Sequence, residues 1–440
     1  MTDIPILNFD KDGVLESELP PVGPEITDVV LLSHGWHEEP QSAIGHYGNL
    51  VGPLEEILAQ NPARWQGRRA AYFGVIWPSD EFADDLTVLD MRPDVTGPPP
   101  AGIVAAAQPL SRAALEARAR DVAQFLGIDA DLLAAQALQA ASDNEGARDT
   151  LLSTLQSATA TRRNESADDQ TKAEHKDAFD QNGANFFSAI EREFQHLSTA
   201  VVDAVTDNPM IEWLKRLRGD TNAITAFVLN NLAYNEMKIR ARLVGRGLAD
   251  HALEPILARG KRVHLVGHSF GGRLMTAAAA AVHGKVSNLT LLESAFSQNA
   301  LSRDVVWEID GAFRSVIDDG KVTGLIVAAH SGHDAPVWIA YPLASRAYLD
   351  TYSLQPGKAA PVGKADALGL FFGGPTDPYG AMGANGPQNL DRVSRIAFDG
   401  TSLPALNPGV HSLDCTSFVA GHNDVWKQGS AYIVASGLLL

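Results

Sequence analysis

Gly267-His268-Ser269-Phe270-Gly271 stands between the strand-like run RVHLV and a segment rich in helix formers. A serine with glycine two residues before it and two after is the pattern of a nucleophile elbow. A chain that turns from strand to helix within one residue forces that residue into strained geometry, and side chains at the flanking positions collide. The serine oxygen is then held out at the strand's carboxyl end, beside the positive end of the next helix. A serine hydroxyl is a poor nucleophile until an imidazole takes its proton. That imidazole in turn needs a carboxylate to orient it and to stabilise its charged form. The chemistry to expect is acyl transfer, with Ser269 as nucleophile.

Such elbows are followed in the chain by the acid and then the histidine. The histidines after Ser269 are His283, His330, His333, His411 and His422. His422, in the polar loop VAGHNDVW beyond the last predicted strand, is the candidate base, with His411 as the second choice. Asp334 follows the apolar run TGLIVAAH and projects from a strand end, which makes it the candidate acid. Glu293, closing the run LLES, is the alternative acid, and otherwise a buried carboxylate satisfied by loop amides. Asp424 lies two residues from His422, too close in sequence to orient that ring. The developing oxyanion needs two donors. One is expected from the backbone N–H of Phe270, and the other from Trp36 in His34-Gly35-Trp36, where Gly35 permits close backbone approach. The same three residues also read as a strand-end turn around a buried indole.

The elements that position these residues alternate. ILNF, GVLES, DVVLLS and AYFGVIWP read as strands, with a helix over NLVGPLEEILAQN. DKDG is a turn; the further ligands of a calcium loop are missing. A long helix covers roughly 222 to 258, followed by the elbow strand and its helix, strands SNLTLLES and TGLIVAAH, a helix through YPLASRAYLD, and strand VSRIAFDG. Apolar strands alternating with helices indicate an α/β class, with a mostly parallel central sheet flanked by helices. Ligands bind such sheets at the strands' carboxyl ends, where the candidate residues fall.

Residues 80–220 break the pattern. A Pro/Gly linker, PDVTGPPPAG, leads into Ala-rich helices, then into the polar stretch NESADDQTKAEHKDAFD. Phe186, Phe187, Ile190, Phe194, Leu197, Val201 and Val205 then share one helix face, a packing stripe or the lining of a lipid-facing entrance. The predicted organisation is a core of 1–79 and 221–440 with a large helical insertion over 80–220, a cap or lid beside the pocket. The Gly-rich loop FFGGPTDPYGAMGANGPQ reads as a structural loop, with backbone approach to a substrate as the alternative.

Composition narrows the partners. A net charge of −18 argues against a nucleic-acid surface, which needs Lys and Arg to neutralise phosphates, and against docking on anionic membranes. The single cysteine, Cys415, excludes an intramolecular disulfide and a thiolate metal cluster. No apolar run reaches 18 residues, and the N-terminus does not read as a signal peptide, so a cytoplasmic protein is expected.

VVLLSHGW, FGVIWPSD, VHLVGHSFGGRL, VAAHSGHDAPV and GHNDVW together resemble α/β-hydrolases of the serine esterase and lipase kind. The resemblance covers roughly residues 25–80 and 222–440 and leaves out 80–220. It implies an eight-stranded fold, a Ser-Asp-His triad and a two-amide oxyanion hole, with no metal or organic cofactor. The expected reaction is cleavage of a small or lipid-like carboxylic ester. Amide or peptide cleavage by the same triad, and a non-catalytic binding or scaffold role, are the alternatives.

Overall fold

The computed structural model describes residues 4–36, 38–79, 110–142, 144–165, 182–188, 190–191, 220–303, 310–334, 337–338, 341–342, 345, 374–375 and 379–440. By density of contacts the chain divides into two units: 1–83 with 237–341 and 378–440, and 84–236 with 342–377. The predicted core ended at residue 79 and resumed at 221; here the second boundary falls inside the long helix, and 342–377 joins the second unit.

The first unit holds an eight-stranded sheet. Its strands are β1 Ile6–Asn8, β2 Asp28–Ser33, β3 Ala70–Ile76, β4 Arg262–His268, β5 Asn288–Leu292, β6 Leu325–His330, β7 Val393–Ala397 and β8 Gly409–Asp414. Their order is β1-β3-β2-β4-β5-β6-β8-β7, and every pairing is parallel. All six residues of β2 are buried, as are the last six of β4, so both faces of the sheet's centre are covered. Side chains alternate across a strand. Val30, Leu32 and Val266 therefore face one layer, packed with α1 (Pro40–Ala59) and the C-terminal helix Gln428–Leu438. The helix Phe270–Ala281 packs along β2, β4 and β5, and Gly245 of the long helix Thr221–Leu248 lies against its Leu274 and Ala277.

That long helix continues through a π turn, Ala249–Leu253, into Glu254–Ala258, as the sequence predicts to residue 258. GVLES is not a strand: it contributes one antiparallel bridge, Phe9 to Leu15, and Val14 is exposed. β8 and the C-terminal helix escaped the sequence reading, as did the helix Glu145–Glu165 and the short helices Pro62–Trp65, Arg314–Asp318 and Met382–Asn385. No helix among the described residues is long and apolar enough to cross a membrane.

The second unit is helical where it is described. Helix Arg112–Leu126 starts at Ser111, whose hydroxyl accepts from the Ala114 N–H, and stops at Gly127 in the left-handed region. Asp129 caps Ala130–Ala140 in the same way, and Glu145–Glu165 follows. Phe186, Phe187 and Ile190 of the predicted stripe are buried; Phe194, Leu197, Val201 and Val205 lie outside the described residues. So do the Pro/Gly linker and most of the polar stretch.

At the amino end of β2 a buried ionic cluster ties three strands together. Asp28, fully buried, accepts from Arg68 Nη2 at 2.7 Å and lies 3.0 Å from Arg262 Nη2 and 2.9 Å from His264 Nε2. Asn288 donates to His264 Nδ1 at 2.7 Å, so the imidazole proton sits on Nε2 and points at Asp28. Burial holds the His264 pKa below its ordinary value despite that carboxylate. Replacing Asp28 by Asn strands the partly buried Arg68, and such losses cost about 3 kcal/mol or more. Urea unfolding should show this loss. A loss below about 1 kcal/mol would mean that the cluster behaves as an exposed pair.

Candidate active site

β4 ends at His268 and the next helix starts at Phe270, so a single residue makes the turn. Ser269 makes it with φ 55° and ψ −124°, a region that L residues avoid. Such strain costs on the order of 1–3 kcal/mol and persists only when neighbours hold it. Here the Ser269 N–H donates to Leu292 O at 3.0 Å, and Ser269 O accepts from Gly272 and Ala295. A Cβ at Gly267 would strike the Gly271 carbonyl, and one at Gly271 would strike the carbonyls of Ser33 and His34. Both flanking glycines are required by close approach, as the motif predicts.

The elbow presents Ser269 Oγ 2.8 Å from His422 Nε2, and His422 Nδ1 lies 2.7 Å from Asp334 Oδ2. A carboxylate accepts, so Nδ1 carries the imidazole proton and Nε2 is left to accept from the serine hydroxyl. Asp334 is fully buried at the end of the loop after β6. Its Oδ1 accepts from the Val337 N–H at 3.1 Å, its own N–H donates to Ser331 O, and its carbonyl accepts from Trp338. The three candidates for nucleophile, acid and base thus form one hydrogen-bonded line at the carboxyl ends of β4 and β6.

The remaining candidates lie elsewhere. His411 bonds Asn407 O at 2.7 Å, and His283 pairs with Glu254. Asp424 folds back onto its own loop, accepting from the Ala420 N–H at 2.9 Å and pairing with Lys427 at 2.6 Å. It shapes the loop that carries His422. Glu293 is fully buried at the end of β5, beside Asp334 and without a bond to His422.

Trp36 and Phe270, the predicted oxyanion donors, are neighbours: their rings meet edge to face at 5.7 Å. Phe270 opens its helix, so its N–H lies at the helix's positive end. Gly35 lies flush against the nucleophile. A Cβ there would stand 2.7 Å from Ser269 Cβ and 3.2 Å from Ser269 Oγ. His34 braces this loop: its N–H donates to Tyr47 Oη at 2.9 Å, its Nε2 accepts from Trp77 N–H, and its ring stacks on Trp77. Gly35→Ala should therefore push the serine off its line to His422 and lower kcat by about 10²-fold. Steady-state kinetics beside a thermal melt separates that displacement from unfolding, and unchanged kcat would show that the loop yields freely.

Three residues of the site escaped the sequence reading. His268 donates from Nε2 to the His422 carbonyl at 2.8 Å, with the two rings 4.6 Å apart. It is fully enclosed; burial first, and then the neighbouring His422, holds its pKa well below the ordinary histidine value. A neutral ring keeps the His422 loop in place without adding charge. Glu38 and His46 pair at 3.2 Å, and His46 stacks on Trp426, which also meets His268 edge to face. Burial opposes the Glu38 charge, but hydrogen bonds from His46 and Ser42 outweigh it and lower its pKa. His268 stands inside the elbow motif and so had a local signal; Glu38 and His46 come from a distant helix end and had none.

The Gly-rich loop is bonded to the segments that follow β5 and β6. Gln298 N–H donates to Gly380 O, Met382 N–H to Phe296 O, Gly383 N–H to Ser294 O, and Ser331 N–H to Gly383 O. The loop's buried Asn385 amide donates to Gln298 Oε1 at 2.8 Å. Gly383 packs against the backbone of Glu293 and Ser294, Gly380 against the Gln298 side chain, and Gly386 against Ser412 and His330, so these glycines approach protein; residues 371–373 and 376–378 lie outside the described residues. Among the described residues, no group of three or more His, Cys, Asp or Glu side chains is arranged to hold a metal ion. Comparison with protein-family models, with curated proteins and with solved structures finds no match to this chain.

Proposed function

We propose that the chain is a serine hydrolase that cleaves carboxylic esters through an acyl-enzyme. The observation that carries this reading is the line Ser269–His422–Asp334, with contacts of 2.8 and 2.7 Å, built on a strained elbow. His422 Nε2 takes the hydroxyl proton as Ser269 Oγ attacks the ester carbonyl. Asp334 stabilises the imidazolium that results. The N–H groups of Phe270 and Trp36 hold the oxyanion, where preorganised donors contribute most. Collapse of the tetrahedral intermediate expels the alcohol, which takes the proton from His422. Water, deprotonated by His422, then attacks the acyl-enzyme, and its collapse returns the proton to Ser269.

The motifs that resemble α/β-hydrolases support the same assignment, as does the parallel sheet that carries the triad at its carboxyl end. The net charge of −18 favours neutral or apolar esters over anionic ones. The test is turnover of a p-nitrophenyl ester series beside matching anilides. Ester turnover with saturation supports the reading. Cleavage of the anilides alone would make the chain an amidase, and inertness toward both would favour a binding role.

A further inference from the structure

Two carboxyl groups lie side by side under the candidate triad, and only one of them has donors. Asp334 accepts from His422 Nδ1 on one oxygen and from the Val337 N–H on the other. Glu293 is fully buried, and neither of its carboxyl oxygens meets a donor at hydrogen-bonding geometry. The Ser331 N–H, close enough to favour the Glu293 anion somewhat, donates at hydrogen-bonding geometry to Gly383 O at 3.2 Å instead. The side chain is also held where it is. Glu293 sits at φ 45°, its own N–H donates to Ala329 O, and Gly383 packs flat against its backbone. The segment cannot relax toward water without breaking the contact between β5 and the Gly-rich loop.

We propose that Glu293 is a positioning residue for the hydrolytic reaction: a carboxylic acid, neutral in the working enzyme, that faces Asp334 and fixes the orientation of its carboxylate toward His422. Adjacent buried carboxyls cannot both ionise, and the proton goes to the one with fewer donors. By that rule Asp334 is the charged member and Glu293 the protonated one. The protonated group can donate its O–H to Asp334, giving the triad carboxylate a third support besides His422 and Val337. The titratable groups that act on Glu293 agree in sign. Burial first, then Asp334 and Asp414, raises its pKa well above the ordinary carboxylate value. Cys415, nearby, is pushed up chiefly by burial, and so adds no charge.

This inference rests on the triad reading for its kinetic arm only. The first measurement is infrared difference spectroscopy of the full chain at neutral pH, parent minus Glu293→Gln. A protonated-carboxyl C=O band present in the parent and lost in the variant is expected; a parent with no such band overturns the proposal. The second is steady-state kinetics. Glu293→Gln keeps a neutral donor of the same shape, so kcat should stay within about threefold of the parent with an unmoved pH profile. Glu293→Leu fills the volume without a donor, so kcat should fall about 10- to 100-fold with KM little changed. A Gln variant as impaired as the Leu variant, with its acid limb displaced, would show that Glu293 works as an anion and sink the idea. If the parent turns over no ester, the hydrolase reading fails, while the infrared band still decides the state of Glu293.

Discussion

Ser269→Ala is expected to lower ester turnover by about 10⁶-fold while leaving the protein folded. The size follows from the role: without Oγ no acyl-enzyme forms, and what remains is water attacking in a site that still binds and polarises the carbonyl. The fold should survive because the hydroxyl has one partner, His422 Nε2 at 2.8 Å, and the strained backbone is held by the bonds of Ser269 N–H and O rather than by its side chain. Losing one such bond costs about 1 kcal/mol. Active-site titration should find no burst of released alcohol, with an urea midpoint near the parent's. Turnover within tenfold of the parent, roughly 1.4 kcal/mol in barrier, would remove Ser269 from the chemistry.

Asp334→Asn is the second large effect, a loss of about 10⁴-fold in kcat. Its cause is tautomeric. Asp334 Oδ2 can only accept, so His422 must carry its proton on Nδ1. An amide at the same place can present its NH₂ to Nδ1, which moves the proton to Nε2, the nitrogen that must accept from Ser269. The charge that stabilises the imidazolium is lost at the same time. Glu293 stands beside Asp334 but makes no bond to His422, so it should not take over. A loss smaller than about tenfold would transfer the role of acid to Glu293.

How much of this could be read beforehand depended on whether the signal was local. The elbow is local: a serine and two glycines within five residues define its geometry, and the structure places each against the backbone that demands it. The central strands were equally plain, because burial on both faces leaves them apolar throughout, as in DVVLLS. β8 was not, because GVHSLD is an interior strand near the sheet's edge that buries His411, Ser412 and Leu413, two of them polar, and so carries no apolar run. GVLES misled in the opposite way: its apolar residues suggest a strand, yet Val14 is exposed and only Leu15 makes a bridge.

The site divides along the same line. Asp334 and His422 could be named because each follows an apolar strand or closes the chain in the order that the elbow demands. The choice between Asp334 and Glu293 could not be settled by spacing, because both leave strand ends next to one another in the sheet. What separates them is the donors around each carboxyl, and those come from His422 and Val337, placed by three-dimensional packing. The His268 bond to the His422 carbonyl depends in the same way on residues far apart in the chain.

The central claim is that His422 and Asp334 make Ser269 nucleophilic, and covalent labelling tests it most directly. A fluorophosphonate probe should add once to the folded chain, with the adduct mapped by mass spectrometry to the peptide containing Ser269. Labelling should vanish in Ser269→Ala and slow in Asp334→Asn. No adduct on the folded parent, or an adduct that persists in Ser269→Ala, would contradict the account.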